Sequence, residues 1–508
     1  MIILDETEPG SSKLAAAPAP TLRFPDPVAG RSSVQLPSYE ETQLQQRLNH
    51  SNSSLSTLVS FRKPSFPRRF DSRCGRISFI ALAIYVLLTL TIGIPLLVTQ
   101  LRLRRQARQP PPNYSPLFLD ENQAADPLPV VGAPMVMAAS TMKCDVWDSQ
   151  YPLPEGRLFR ATARHTLPYD GGVFAIRSNG TEGETPFVFG QHNLTVSLNP
   201  DPTERDVVFA VSLTASSFSM LKRAHMCFSP NGPGRGLAVY MPSSLLSSDV
   251  QAFDIKLYFP QKPPATLVPG SLIIYLPMFR QIYGDLGDRI NFGIINIAGA
   301  GLDIMCNHLR ANQIAVRSSY ASISGSFEAT QSLQLDNIQG SILANSTLYN
   351  DPTTQIPTYL VMDTGNGDLV AGVTMVSSKP TLAPKFNFNA QTFNGTLFLD
   401  VGHDRNTMPA VLQLQAQNNQ GHAFVTLDKK YTGAVDLHSK LSQTIFDYSE
   451  VKSVAPTGGW RVQLDSNSTS GARGWVGTGL RPKYFDPDRD GKVTVVSALS
   501  SIGLWILP

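Results

Sequence analysis

The stretch from Ile314 to Ile342, IAVRSSYASISGSFEATQSLQLDNIQGSI, sets an aliphatic side chain at every second or so position among small polar ones. An interval of two puts alternate side chains on opposite faces of an extended strand, whereas a helix needs intervals of three and four. The stretch also repeats. Shifted by 19 residues, Ile314 falls on Leu333, Val316 on Leu335, Ser322 on Ser341 and Ile323 on Ile342. The unit is two aliphatics flanking one residue, usually with a small or amide residue two further on. It occurs at Leu302–Ile304, Ile314–Val316, Leu333–Leu335, Leu412–Leu414, Val435–Leu437, Val462–Leu464 and Val493–Val495.

These units predict strands half-buried against their neighbours, with Val316, Leu335, Leu414, Leu437 and Leu464 in one apolar interior and Gln334 and Gln463 outside. Their first positions lie 12, 19, 79, 23, 27 and 31 residues apart. A solenoid of fixed coil length would space them evenly, so the pattern favours a sandwich or a loosely coiled domain. Upstream, GVFAIRS, DVVFAVSLTA, GLAVYMP, AFDIKLYF and GSLIIYLP are short Val/Ile/Phe/Tyr runs bounded by turn residues, so residues 172–277 also read as strands. With 16% charged residues, 37 Gly and 39 Pro, the composition is that of a turn-rich β-protein. A net charge of +3 gives no reason to expect nucleic acid as a partner.

Residues 77–101 are 25 residues without a charge, enough for one transmembrane helix. Their length and internal position predict an uncleaved signal anchor. Six basic residues precede the span (Arg62, Lys63, Arg68, Arg69, Arg73, Arg76) and four follow it (Arg102, Arg104, Arg105, Arg108), which favours a cytosolic N-terminus. Beyond the span, Asn113, Asn179, Asn193, Asn345, Asn394 and Asn467 begin glycosylation sequons, consistent with an exported C-terminal part on the plasma membrane or an endomembrane. Cys144, Cys227 and Cys306 allow one disulfide with a thiol left over, and Cys74, in a basic setting beside the span, is a palmitoylation candidate.

The organisation expected is a disordered cytoplasmic tail (1–76), the transmembrane helix (77–101), a Pro-rich stalk (102–135), a β-rich first part (136–300) and a repetitive β-rung part (301–508). In the tail, LPSYEE offers Pro37 and Tyr39 as a WW-domain ligand, which would recruit a ubiquitin ligase of that kind with Lys13 and Lys63 as acceptors. PPNY at Pro111–Tyr114 fits the WW motif better but overlaps the sequon at Asn113, so it serves a glycan or a WW domain according to its side of the membrane.

Catalytic signatures are sparse. Asp363-Thr364-Gly365 matches an aspartic-protease loop without the second aspartate that the chemistry needs. Asp486, Asp488, Asp490 and Gly491 have the spacing of a calcium loop, but Ser497 stands where a bidentate Glu belongs, so a solvated turn is the expectation. The eight histidines form no metal-ligand spacing, and no cofactor motif is present. Asp303 and Asp336 follow rung positions and are the carboxylates that a β-helical carbohydrate-active enzyme would use.

The segment YFPQKPPATLVPGSLIIYLPMFRQIYGDLGDRINFGIINIAGAGLDI, the rungs after it, GHAFVTLDKKYTGAVDLHSK and GARGWVGTG resemble a group of uncharacterised fungal single-pass membrane proteins. The outer domains of that group are similar to bacterial adhesin-like proteins built of stacked β-rungs, and the resemblance covers roughly residues 140–508. It implies an all-β ectodomain, solenoid-like or sandwich-like, on one membrane anchor, without catalytic residues, engaging an extracellular glycan or protein. The alternatives are a trafficking adaptor working through Tyr39 and a β-helical enzyme.

Overall fold

The structure is a computed structural model. It describes residues 143–507 apart from 155–157, 180–191, 231–234, 243–249, 263–269, 380, 449–458 and 479. The tail, Cys74, the uncharged run, the stalk and Asn113 lie outside the described residues. Among the described residues no helix is long and apolar enough to cross a membrane.

The described chain is nearly all β, with one short helix, α1 (Phe218–Leu221), capped by the Ser217 hydroxyl. Its strands form two parallel ladders whose inward side chains belong to one apolar core. The first ladder stacks, in spatial order, β8 (Arg235–Tyr240), β4 (Val173–Ser178), β10 (Ser271–Tyr275), β12 (Phe292–Ala298), and the second halves of β13 (Ile304–Ser318) and β14 (Ile323–Asn337). It continues through β16 (Thr358–Thr364), β18 (Lys385–Thr392), β20 (Val411–Asn418), β26 (Gly491–Ser497) and β22 (Gly433–Ser439). The second ladder runs beside it through β9 (Gln251–Phe259), β5 (His192–Leu198), β11 (Phe279–Asp285) and the first halves of β13 and β14. It then takes β15 (Ile342–Asn350), β17 (Leu369–Ser377), β19 (Leu397–His403), β21 (Ala423–Asp428), β27 (Ile502–Leu507) and β23 (Thr444–Asp447). One strand from each ladder makes a coil, and the coils stack as a solenoid.

Coil registration explains the uneven sequence spacing. Ile304, Ile323, Ile342, Leu369, Leu397 and Ala423 form one inward column, separated by 19, 19, 27, 28 and 26 residues. β13 and β14 pass from the second ladder into the first without leaving strand conformation, whereas later coils insert loops at 351–357, 378–384 and 404–410. The interval of 79 residues after Leu333 spans three steps, because Leu333 lies on Leu360, Leu360 on Phe388 and Phe388 on Leu414, and Val493 then lies directly on Leu414. The chain places its last coil, β26 and β27, between β20–β21 and the earlier strands β22–β23. The spacing argument against a solenoid is thereby corrected: loops at coil corners vary in length while the columns stay in register.

Four of the five predicted interior residues, Val316, Leu335, Leu414 and Leu437, are buried in this core. Leu464 is the exception. It sits half-buried on β24 (Trp460–Ser468), which pairs antiparallel with β25 (Gly471–Thr478), and β25 in turn pairs with β22. That hairpin closes the C-terminal end of the first ladder, so its outer strand has a neighbour on only one side. Leu302–Ile304 is likewise a different unit, since Ile304 stands in the second ladder.

At the other end, β6 (Val207–Ala215), β3 (Phe159–Leu167) and β2 (Ser149–Pro152) add antiparallel strands to β9, while β7 (His225–Ser229) and β1 (Lys143–Cys144) extend β8. At the N-terminal end both ladders therefore continue into antiparallel strands, and at the C-terminal end β25 and β24 continue the first ladder, while β23 pairs with β27 alone among the described residues. Cys144–Cys227 forms a disulfide between β1 and β7, and Cys306 is left over, buried in the second ladder. Burial pushes the Cys306 thiol well above its ordinary range. Maleimide treatment of the native protein followed by peptide mapping is expected to leave Cys306 unlabelled until denaturant is added. Labelling under native conditions would contradict this core.

Candidate functional site

Because each ladder alternates, every buried column has an outward partner column. On the second ladder the outward columns differ in chemistry. One is apolar: Leu343, Val370, Phe398 and Phe424 stand in register on successive coils, followed by Gly503. The Trp505 ring folds over Gly503, at 2.4 Å or less from where a Cβ there would lie, and packs edge-on against Phe424 at 5.4 Å between centroids. His422 stacks on the same Phe424 at 5.7 Å. Leu343, Val370 and Phe398 are exposed.

Beside this stripe run two polar columns. Ser326, Asn345, Gly372 and Asp400 are in register, as are Glu328, Thr347, Thr374 and Gly402. They line an open groove of about 500 Å³, ended by Asn307 and His308. Its depth comes from two glycines. A Cβ on Gly402 would meet only Asp428 Oδ2, at 3.8 Å, and one on Gly372 only Asn345 Oδ1, at 3.1 Å. Neither glycine has a positive φ. Packing and backbone therefore do not demand glycine at Gly402, and at Gly372 the one close neighbour is the end of a side chain, Asn345, that must shift slightly; glycine at such strand positions costs about 0.5–1 kcal/mol. What the absent side chains provide is space above the sheet, the circumstance in which a strand glycine marks close approach by a ligand.

The groove is mildly acidic. Burial and then the neighbouring Asp428 push the Asp400 carboxyl above the usual carboxylate range. Burial also acts to raise Asp428, but hydrogen bonds from the His403 ring and backbone outweigh it and hold Asp428 below that range. The His403 ring is fixed by its partners: Nε2 accepts from Ala410 N at 3.0 Å, so Nδ1 donates to Asp428 at 2.8 Å. The loop at 404–410 is fastened by Lys430, whose Nζ donates to the carbonyls of Asp404, Arg405 and Thr407.

At the far end, a register shift in β13 between Cys306 and Leu309 turns His308 outward. Its Nδ1 lies 3.1 Å from Asp285 Oδ1 and its Nε2 lies 3.1 Å from Glu328 Oε1. Asp285, Asp288 and His308 are the set of His, Cys, Asp or Glu donors, among the described residues, close enough together to hold a metal ion.

The carboxylates singled out in the sequence are placed elsewhere. Asp490 is buried and accepts from Asp486 N, Asp486 accepts from Asp488 N, and Asp488 lies 3.7 Å from Lys385, all within an Asp/Gly turn. Asp303 accepts from the backbone and hydroxyl of Ser322. Asp336 and Asp363 are register neighbours on the outer face of the first ladder, held by Arg317, Gln334 and Gln391, and burial raises both carboxyls. Thr364, of the Asp-Thr-Gly match, is buried at the end of β16, where its hydroxyl accepts from Gly367 N in the turn that follows.

Asn394 and Asn467 are exposed, Asn394 in a turn and Asn467 near the end of β24. Asn179 Nδ2 donates to Met241 O, and Asn193 is half-buried on β5. Asn345 lies inside the groove. The groove itself escaped sequence reading. Its one sequence signal was a glycine at an outward position inside a strong strand, in LVAGVTMVS and LFLDVGH.

No protein-family model matches the chain, and no curated protein does. Among solved structures it is similar to the crystal structure of a "putative cell adhesion protein" from Clostridium sporogenes, with 8% identity, coverage of 68% of this chain and 99% of that chain, and a TM-score of 0.14.

Proposed function

We propose that the chain is a single-pass type II membrane glycoprotein whose β-solenoid is a non-catalytic, adhesin-like recognition domain, with the groove of the second ladder as its binding site. The observation that carries this reading is the open floor at Gly372 and Gly402, where fold requirements do not explain glycine. The uncharged run 77–101 and the basic residues around it supply the anchor and its orientation, and the exposed Asn394 and Asn467 are the sequons best placed to carry glycans.

Two measurements test the parts separately. Cells displaying the full chain should adhere to a receptive surface, and Gly402→Phe, which fills the groove without entering the core, should reduce that adhesion; unchanged adhesion would sink the groove as a binding site. Protease applied to sealed cells should cut the β-domain, and removal of N-glycans should lower its mass. A domain that is unglycosylated and cut only from the cytosolic side would invert the topology and make Pro111–Tyr114 and Tyr39 ligands for a WW-domain partner.

A further inference from the structure

We infer that the ligand of this groove is an uncharged polysaccharide bound in an extended form along the axis of the coil stack. The inference rests on the groove being a recognition site, and deepens that reading. It starts from the repetition of the site. Coils stack at the strand separation of about 4.8 Å, so the outer face offers the same pair of neighbours, one apolar and one polar, again and again along a straight line. A ligand that uses such a surface efficiently must itself repeat, with an apolar face and a polar edge on every unit. Linked pyranose rings have this form: the C–H face of each ring stacks on aromatic or aliphatic side chains, and its hydroxyls point to the side.

The chemistry of the two sides fits. The apolar stripe ends in Phe398, Phe424 and the Trp505 ring, and the polar side offers Asn345, Thr374 and Asp400, which accept from or donate to hydroxyls. Charge narrows the class. The lining contains Glu328 and Asp400 but no Lys or Arg, and the one imidazole, His308, has carboxylates at both ring nitrogens. A polyanion would meet repulsion there. A peptide adding to the sheet is disfavoured at this site because strand addition needs a free edge, whereas the groove lies on a sheet face.

The test uses the full chain and immobilised oligosaccharides of increasing length: neutral glucans and N-acetylglucosamine oligomers, with a sulfated glycan as the anionic probe. Affinity for a neutral series should rise with length. Phe398→Ala and Gly402→Phe should each weaken it by roughly tenfold or more, while Gln415→Ala on the outer face of the first ladder leaves it unchanged. Circular dichroism melting of the Gly402→Phe protein separates groove filling from misfolding, and its Tm should not fall. Binding of the sulfated glycan in preference to the neutral ones overturns the inference. So does groove-dependent adhesion to a surface stripped of glycans; in both cases the groove remains a recognition site. Adhesion indifferent to Gly402→Phe removes both readings together. An N-glycan found by mass spectrometry on Asn345 would fill the groove from within and overturns the inference as well.

Discussion

Leu335→Asp is expected to abolish cooperative folding of the solenoid. Leu335 is fully buried in the first ladder, between Val316 on one coil and Met362 on the next, with no polar partner within the column. A carboxylate placed there either stays ionised in an apolar interior or takes up a proton, and in both cases a polar group is left without hydrogen bonds. With the lost packing of the leucine, the cost is about 4 kcal/mol or more, a large share of the stability of an ordinary domain. Since coils contact only their neighbours, the damage sits in the middle of the stack and separates its two ends. Urea denaturation followed by circular dichroism reads the effect. The neighbouring Gln334→Ala, on the outward face, should cost only about 1 kcal/mol, the loss of its hydrogen bond to Asp336. Equal tolerance at the two positions would mean that the strand register is wrong.

This register was the most legible part of the fold. Alternation in Ile314-Ala-Val316 and Leu333-Gln-Leu335 fixes which side chains enter the core, because a shift of one residue would expose every aliphatic. The small or amide residue two further on also had a physical meaning. Ser318, Asn337, Thr364, Thr392, Asn418, Ser497 and Ser439 form a buried column at the turn between ladders, with Asn418 lying two residues past Ala416 because Leu414 takes the first position of its unit. Asn337 Oδ1 accepts from Gly340 N three residues on, and Thr364 Oγ1 donates to the Gly340 carbonyl of the coil before. The motif thus closes its own turn and ties it to a neighbour.

Coil order was not legible. Leu360-Val-Met362 and Phe388-Asn-Ala390 occupy the gap after Leu333, yet a methionine, a phenylalanine or an alanine at an inward position hides the aliphatic pair. Sequence order also misleads where β26 enters between β20 and β22. Val462-Gln-Leu464 shows the converse, since a half-buried strand in a capping hairpin has the same alternation as a rung. The site was less legible still. Asn345 and Asp400 are 55 residues apart, in register through Gly372, and their shared face emerges only once coil lengths are known.

Gly395→Ala should be strongly damaging for a single-methyl change, although Gly395 lies in a turn and has no positive φ. The reason is the distance between coils. Gly340, Gly367, Gly395 and Gly421 succeed one another on the turns of adjacent coils, and a Cβ on Gly395 would lie 2.0 Å from the Gly367 carbonyl oxygen. That oxygen belongs to backbone and cannot rotate away. The turn must therefore lift, which strains the hydrogen bond from Thr392 Oγ1 to Gly367 O at 3.1 Å and the one from Asn418 Nδ2 to Gly395 O at 2.7 Å. Leaving such buried groups unpaired costs about 1–3 kcal/mol each, so a loss of roughly 3 kcal/mol is expected in urea denaturation. Gly402→Ala makes the same chemical change at a position where the added carbon finds open space, and should instead raise stability by up to about 1 kcal/mol through the restricted unfolded chain. The opposite signs are the test. If Gly395→Ala were as harmless as Gly402→Ala, the turns could not be stacked this closely, and the distinction between glycines held by packing and glycines kept open for a ligand would fall with them.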